Sequence, residues 1–268
     1  MTVLRFGLTP KMRPVSPRRA AVVAGLDIGT SKVVCLIARL EPQAPQDVLR
    51  RRSHGVSLLA FAHTAASGMK GGSVVDLVEA EETVRQALDI AESMAGVQLQ
   101  SVVVSMSGGR PGSERFVANI DLAGGAVTEG DIGRVLAAAS RHSVRDGRVV
   151  LHSLPIGFAV DAATGIREPR GMLGRQLGVD MHMVTADVAT VQNLMLTVER
   201  CHLSVEAMVS SPYVAGLAAL ADDEADLGVA TVDMGAGTTT LAVFSGGKFV
   251  HADGFALGGN HVTMDLAR

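Results

Sequence analysis

Aromatic residues are scarce in this chain of 268 residues, which contains 7 Phe, 1 Tyr and no Trp. Few aromatic side chains leave little surface for stacking on nucleic-acid bases. A formal net charge of −3 supplies no excess of cations for a phosphate backbone. We therefore expect no nucleic-acid partner.

Cysteine is also rare, and long apolar runs are absent. The two cysteines, Cys35 and Cys201, exclude a disulfide framework and are typical of a reducing compartment, so we expect a cytoplasmic location. No uninterrupted apolar run reaches the roughly 18 residues that a membrane-spanning helix requires. The sequence predicts a chain without a membrane span.

Apolar residues and glycine are plentiful. The hydrophobic fraction is 47%, and 268 residues are enough to bury a large core. The 30 glycines indicate places where the backbone turns tightly or approaches a ligand closely. These glycines direct attention to the turns between strands.

Changes of pattern along the chain divide it into four segments. A basic, proline-containing stretch at 1–21 predicts a flexible tail, and the order β-β-β-α-β at 22–105 predicts an α/β unit. Residues 106–186 are expected to form an inserted α+β subdomain, after which the α/β pattern resumes over 187–268. The last ten residues resemble a helix that has only begun, so we expect a fragment of a longer protein.

Three helix starts are predicted from capping residues. Ser73 follows two glycines and is expected to cap a helix ending near Ala95. Thr128 begins a capping-box pattern, and Asp187 is expected to cap a third helix.

A repeat 206 positions apart is the feature most closely tied to function. Residues 27–32 read DIGTSK and residues 233–239 read DMGAGTT, each after an apolar strand and before another strand. A duplicated strand–turn–strand unit implies two related halves that face each other. One such turn alone is more typical of an ordinary hairpin.

Such turns are suited to binding phosphate. Glycine leaves successive N–H groups unshielded, threonine and serine hydroxyls donate hydrogen bonds, and Lys32 adds a positive charge. Asp27 and Asp233 would repel phosphate unless a cation such as hydrated Mg²⁺ lay between them. We therefore expect ATP and Mg²⁺, with both aspartates at the metal through water. The candidate nucleotide-binding residues are Asp27, Gly29, Thr30, Ser31, Lys32, Asp233, Gly235, Ala236, Gly237, Thr238 and Thr239.

Two other nucleotide-binding patterns do not fit. The chain contains no G-x-x-x-x-G-K-[ST] motif, which excludes a P-loop. A Rossmann interpretation fails because a strand rather than a helix follows the glycine turn.

The two turns resemble the phosphate motifs of the actin/Hsp70/sugar-kinase superfamily, and within it those of the FtsA family of bacterial cell-division proteins. Supporting stretches are GMKGG at 68–72, HSLP at 152–155, VERC at 198–201 and GGN at 258–260. The resemblance implies an actin-like (ribonuclease H-like) α/β fold with an incomplete second half. It implies subdomain 1A at 22–105, subdomain 1C (SHS2-like) at 106–186 and the start of subdomain 2A at 187–268.

The resemblance also implies a function. Members bind ATP, self-associate into filaments, bind FtsZ and other division proteins, and tether the division ring to the cytoplasmic face of the inner membrane. Their membrane contact is a C-terminal helix, which this chain would lack. We expect at most a weak ATPase, because no acid precedes Pro212 where hydrolytic relatives such as MreB have a carboxylate.

Other functions of the same superfamily remain open. The alternative is a small-molecule kinase or polyphosphate phosphatase, which needs an acidic base facing the phosphates, and no convincing candidate is present. An Hsp70-like chaperone is a further alternative that requires a peptide-binding domain after the nucleotide fold.

Overall fold

The computed structural model describes residues 9–12, 14–43 and 53–268. Within them the strands are β1 (Ala21–Ile28), β2 (Lys32–Pro42), β3 (His54–Ala65), β4 (Met69–Lys70), β5 (Ser73–Val74), β6 (Ser101–Met106), β7 (Gly112–Asp121), β8 (Arg148–Val160), β9 (Ala163–Ile166), β10 (Gln176–Asp187), β11 (Ser204–Ser210), β12 (Val229–Met234), β13 (Thr239–Ser245) and β14 (Lys248–Phe255). The helices are α1 (Leu77–Ala95), α2 (Glu129–Ala139), α3 (Val188–Arg200), α4 (Ser211–Ala219), α5 (Asp222–Leu227) and α6 (Gly259–Leu266).

A five-stranded sheet forms the centre of the first unit, in the order β11-β6-β1-β2-β3. The first three strands form an antiparallel meander, whereas β6 and β11 run parallel to β1. Helices α1 and α3 pack against this sheet through apolar side chains such as Val84, Leu88 and Leu194, which are buried. Alternating apolar residues on the strands thus meet one apolar face of each helix.

Helix α1 begins later than the sequence predicts. Ser73 lies in a short hairpin of β4 and β5, and Asp76 is the residue that caps the helix, accepting hydrogen bonds from the backbone N–H of Val78 and Glu79. The prediction failed because Gly71 and Gly72 both have positive φ and form a hairpin turn, not a helix entry.

The inserted subdomain lies between β6 and α3. Its sheet has the order β7-β10-β8-β9, with α2 packed on one face around Val135, Leu177 and Val179. Thr128 and Asp131 form the predicted capping box at the start of α2. Strand β9 pairs antiparallel with the end of β8.

The second unit is an antiparallel sheet in the order β12-β13-β14, next to helices α4 and α5. Helix α6 begins at the turn between β12 and β13, where Gly259 and Asn260 donate to backbone carbonyls. The α/β actin-like fold with an inserted α+β subdomain is confirmed. The division into 22–105, 106–186 and 187–268 stays a prediction.

Part of the predicted flexible tail, 1–21, lies outside the described residues. Where it is described it contacts the rest of the chain: Thr9 is buried and donates two hydrogen bonds to the carbonyl of Val150. His54 Nε2 lies 3.1 Å from the carbonyl oxygens of both Ser16 and Arg19. Among the described residues no helix combines the length and hydropathy needed to cross a membrane.

Candidate functional site

The two repeated turns have one backbone geometry. Ile28 pairs with Val33 across the first turn, and Met234 pairs with Thr239 across the second, at the same offset of 206 positions. In the first turn the N–H of Gly29 donates to a carbonyl three residues later, at 3.0 Å. The corresponding bond from Gly235 measures 2.8 Å. The repeat read from the sequence is therefore a repeat of structure.

Backbone donors are available inside both turns. Among the described residues, the N–H groups of Thr30, Ser31, Ala236 and Gly237 donate to no protein acceptor. The N–H groups of Gly29 and Gly235 are already used to close their turns, so these two glycines act by geometry rather than as donors. Consecutive unpaired N–H groups in a tight turn form a site for an anion.

The turns face each other across a cavity of about 470 Å³. Nine of the eleven candidate residues border it: Asp27, Gly29, Thr30, Ser31, Lys32, Asp233, Gly235, Ala236 and Thr238. Gly237 does not, because it packs against Thr30, where a Cβ on it would lie 2.6 Å from Oγ1. Thr239 does not either, since its hydroxyl donates to the carbonyl of Leu257 at 2.8 Å.

The two threonine hydroxyls at the cavity have protein partners. Thr30 Oγ1 accepts from the N–H of Gly72 at 3.0 Å, and Thr238 Oγ1 donates to Ser107 Oγ at 3.0 Å. The Thr30 hydroxyl keeps its own proton for an acceptor in the cavity, whereas the proton of Thr238 is already used. The expected phosphate donor role therefore fits Thr30 better than Thr238.

The pKa of the Asp27 carboxyl is raised above its ordinary value. Burial raises the pKa of its carboxyl, a hydrogen bond from Ser105 lowers it, the nearby Asp233 raises it and Lys32 lowers it. Two carboxylates that repel each other at the wall of one cavity favour a cation between them.

The residues present fit a magnesium nucleotide. Among the described residues, no group of three or more His, Cys, Asp or Glu side chains forms a metal cage. Magnesium does not require one, since it commonly keeps several waters and takes one or two carboxylates plus phosphate oxygens. Asp27 and Asp233 would supply the carboxylates, and the free N–H groups that border the cavity, with Lys32, would supply positive character for phosphate.

Three serines at the cavity were missed by the sequence reasoning: Ser105, Ser107 and Ser211. Ser105 pairs with Asp27 in the sheet, and its Oγ lies 2.7 Å from that of Ser211 at the start of α4. The alternation of Ser105 and Ser107 at the end of a strand was the available signal. Ser211 also occupies the position before Pro212, so a hydroxyl stands there in place of a carboxylate.

The inserted subdomain touches the site through helix α4. Nε2 of His152, on β8, accepts a hydrogen bond from the N–H of Ser210 at 2.9 Å. Burial lowers the pKa of His152 to about 4, so the ring stays neutral at neutral pH and can accept this bond. The first turn of α4, which carries Ser211, is thereby fixed to the insert.

The five-stranded sheet, the paired turns and the insert define an actin-like protein. The PilM-PilN type IV pilus biogenesis complex has the same fold, with a TM-score of 0.59 at 16% identity, covering 92% of this chain and 65% of that one. Two family models match the sequence: "SHS2 domain inserted in FTSA" over residues 108–185 and "Cell division protein FtsA" over residues 230–268.

Relatives named Cell division protein FtsA match nearly the whole chain. The protein from Rhizobium meliloti (strain 1021) is 51% identical over 98% of this chain and 59% of its own length. The protein from Escherichia coli (strain K12) is 32% identical over 92% of this chain and 56% of its own length. The chain is similar to FtsA proteins over nearly its whole length, and it spans less than three fifths of the length of these relatives.

Proposed function

We propose that this chain forms the phosphate-binding part of a Mg-ATP site in a bacterial cell-division protein. The observation that carries the proposal is the meeting of two turns of identical backbone register across one cavity, each with an aspartate at its strand end. The similarity to relatives named Cell division protein FtsA supports the cell-division role.

Each group at the cavity has a part in binding. The unpaired N–H groups of Thr30, Ser31 and Ala236, which border the cavity, would receive the oxygens of a polyphosphate. The Thr30 hydroxyl and Lys32 would add a donor and a charge. Asp27 and Asp233 would hold Mg²⁺ through water, and the ion supplies the charge that lets carboxylates and phosphates share the cavity.

Binding is proposed as the main activity, with slow hydrolysis at most. Among the described residues that border the cavity, Asp27 and Asp233 are the only carboxylates. Both are assigned to the metal, so no further carboxylate is available to take a proton from water or a sugar hydroxyl. This argues against the small-molecule kinase or polyphosphate phosphatase.

The wider role rests on the similarity to FtsA proteins. We propose that the protein self-associates into filaments and that it binds FtsZ and other division proteins. We also propose action at the cytoplasmic face of the inner membrane, as the resemblance to the FtsA family implies.

Equilibrium dialysis with Mg-ATP tests the site. Asp233→Ala and Gly235→Val should abolish measurable binding, because the first removes a metal carboxylate and the second places a branched side chain beside Thr238. Asp223→Ala, on the exposed surface of α5, is the control and should bind as the unaltered chain does. Unchanged affinity in the Asp233 variant would refute the assignment, and rapid sugar-dependent turnover would favour the kinase.

A further inference from the structure

The hairpin formed by β4 and β5 lies where the two phosphate turns meet the inserted subdomain. Its turn is Gly71-Gly72, with φ of 55° and 73°. The N–H of Gly72 donates to Thr30 Oγ1 at 3.0 Å, which joins the hairpin to the first phosphate turn. The hairpin is therefore hydrogen-bonded to a residue that borders the cavity.

The backbone of Gly72 lies directly against the backbone of Gly108, and neither position has room for a side chain. A Cβ on Gly108 would lie 2.1 Å from the carbonyl oxygen of Gly72, and a Cβ on Gly72 would lie 2.6 Å from the Cα of Gly108. Both obstacles are backbone atoms, so neither clash can be relieved by turning a side chain. Two glycines thus let the hairpin lie directly on the connection into the insert.

The same hairpin touches the second phosphate turn. A Cβ on Gly72 would also lie 3.1 Å from Cγ2 of Thr238. Thr238 in turn donates to Ser107, the neighbour of Gly108. On the other side of the turn, a Cβ on Gly71 would lie 3.2 Å from Cβ of Ala256 and 3.9 Å from the carbonyl oxygen of Gly237.

We propose that the Gly71-Gly72 turn, lying on Gly108, sets the separation of the two phosphate turns and thereby the affinity for the polyphosphate part of a nucleotide. Gly71, Gly72 and Gly108 do not border the 470 Å³ cavity, so they act as positioning residues through Thr30 and Thr238. The inference rests on the proposed function. Because packed backbone does not deform continuously, a Cβ between these segments must move one turn relative to the other.

The test compares ATP with AMP, since only ATP carries a polyphosphate that spans both turns. Gly108 does not have a positive φ, so Gly108→Ala introduces crowding without left-handed strain. In calorimetric titrations we expect ATP affinity to fall about tenfold while AMP affinity changes less than about twofold. Gly133→Ala, in helix α2 with open space around it, is the control and should leave both affinities unchanged.

A second pair of variants covers the case in which Gly108→Ala does not fold. Gly71→Ala and Gly96→Ala share a left-handed backbone, with φ of 55° and 62°, but only Gly71 has neighbours within 4 Å. Both should lose similar stability, whereas only Gly71→Ala should lose affinity for ATP relative to AMP.

Three results overturn the inference. Unchanged ATP affinity in both crowded variants would show that the contacts do not set the separation. Equal losses for ATP and AMP would show a general structural role. An unaltered chain that binds ATP no better than AMP would remove the proposed function itself, a result visible before any variant is made.

Discussion

The first and second phosphate turns share a backbone and differ in what surrounds them. The first turn is held by its own sheet. Ala66 directly follows β3, and its N–H donates to the carbonyl of Ser31 at 3.0 Å. The second is held from helix α6, whose first N–H groups, on Gly259 and Asn260, donate to the carbonyls of Gly235 and Ala236 at 2.9 Å. A repeated sequence thus reproduces the turn, while the neighbours that hold it in place differ between the two copies.

The largest expected difference between the turns comes from adding one methyl group to each. A Cβ on Gly29 would lie 2.9 Å from the carbonyl of Lys32, whereas a Cβ on Gly235 would lie 3.4 Å from the carbonyl of Thr238. Neither glycine has a positive φ, so the difference is one of space. Gly29→Ala should weaken Mg-ATP binding about tenfold and Gly235→Ala by less than about twofold in equilibrium dialysis. Equal losses would contradict the asymmetry.

The pH dependence of binding should separate the two aspartates. The raised pKa of Asp27 means that its carboxyl takes up a proton at higher pH than an exposed aspartate, and the protonated form cannot attract a cation. Mg-ATP affinity should therefore fall as pH decreases through that pKa. Asp27→Asn should remove this component, and Asp233→Asn should move it to lower pH because a charge that raises the pKa is gone.

The pH prediction is checked by measuring Mg-ATP affinity at several pH values and taking, at each pH, the ratio of the affinity of the variant to that of the unaltered chain. The phosphates of ATP also titrate in mildly acidic solution, but this contribution is common to all variants and cancels in the ratio. A ratio for Asp27→Asn that stays constant from neutral to acid pH would refute the assignment of the raised pKa to this site.

The smallest expected effect concerns Thr239 in the second turn. Its hydroxyl bonds to Leu257 and does not face the cavity, so Thr239→Val should cost about 1 kcal/mol of unfolding free energy through the lost hydrogen bond. Mg-ATP affinity should change less than about twofold. Thr30→Val is the matched comparison and should lose affinity, because Thr30 borders the cavity and accepts from Gly72. A loss of affinity in Thr239→Val equal to that in Thr30→Val would place its hydroxyl at the phosphates.

Much of the fold could be predicted because strand alternation and the duplicated turn are local signals. The start of α1 could not, since a serine after two glycines satisfies the same capping pattern as Asp76. Asp187 does precede α3, but its side chain makes no cap hydrogen bond and instead pairs with Arg110 and Arg148 at 2.9 and 2.8 Å. Both arginines are far from it in sequence, so no local pattern indicates this choice.

The candidate site was predicted where it depends on the turns and missed where it depends on tertiary contacts. Asp27 and Asp233 follow from the motif, whereas Ser105 and Ser211 reach the cavity through pairing between distant strands and helix α4. Thr239 does not border the cavity for a related reason: it is the first residue of β13, and neighbouring strand residues point to opposite sides.

A double-mutant cycle on Asp27 and Asp233 tests most directly the claim that both turns hold one ligand. Mg-ATP affinity would be measured for Asp27→Asn, Asp233→Asn and the double variant, because asparagine, unlike the alanine of Asp233→Ala, keeps an oxygen at each position and should leave weakened but measurable binding. If the two carboxylates share one ion, the loss of binding free energy in the double variant should be smaller than the sum of the two single losses, by about 1 kcal/mol or more. Losses that add, or an unaffected affinity in either single variant, would show that the two turns do not act on the same ligand.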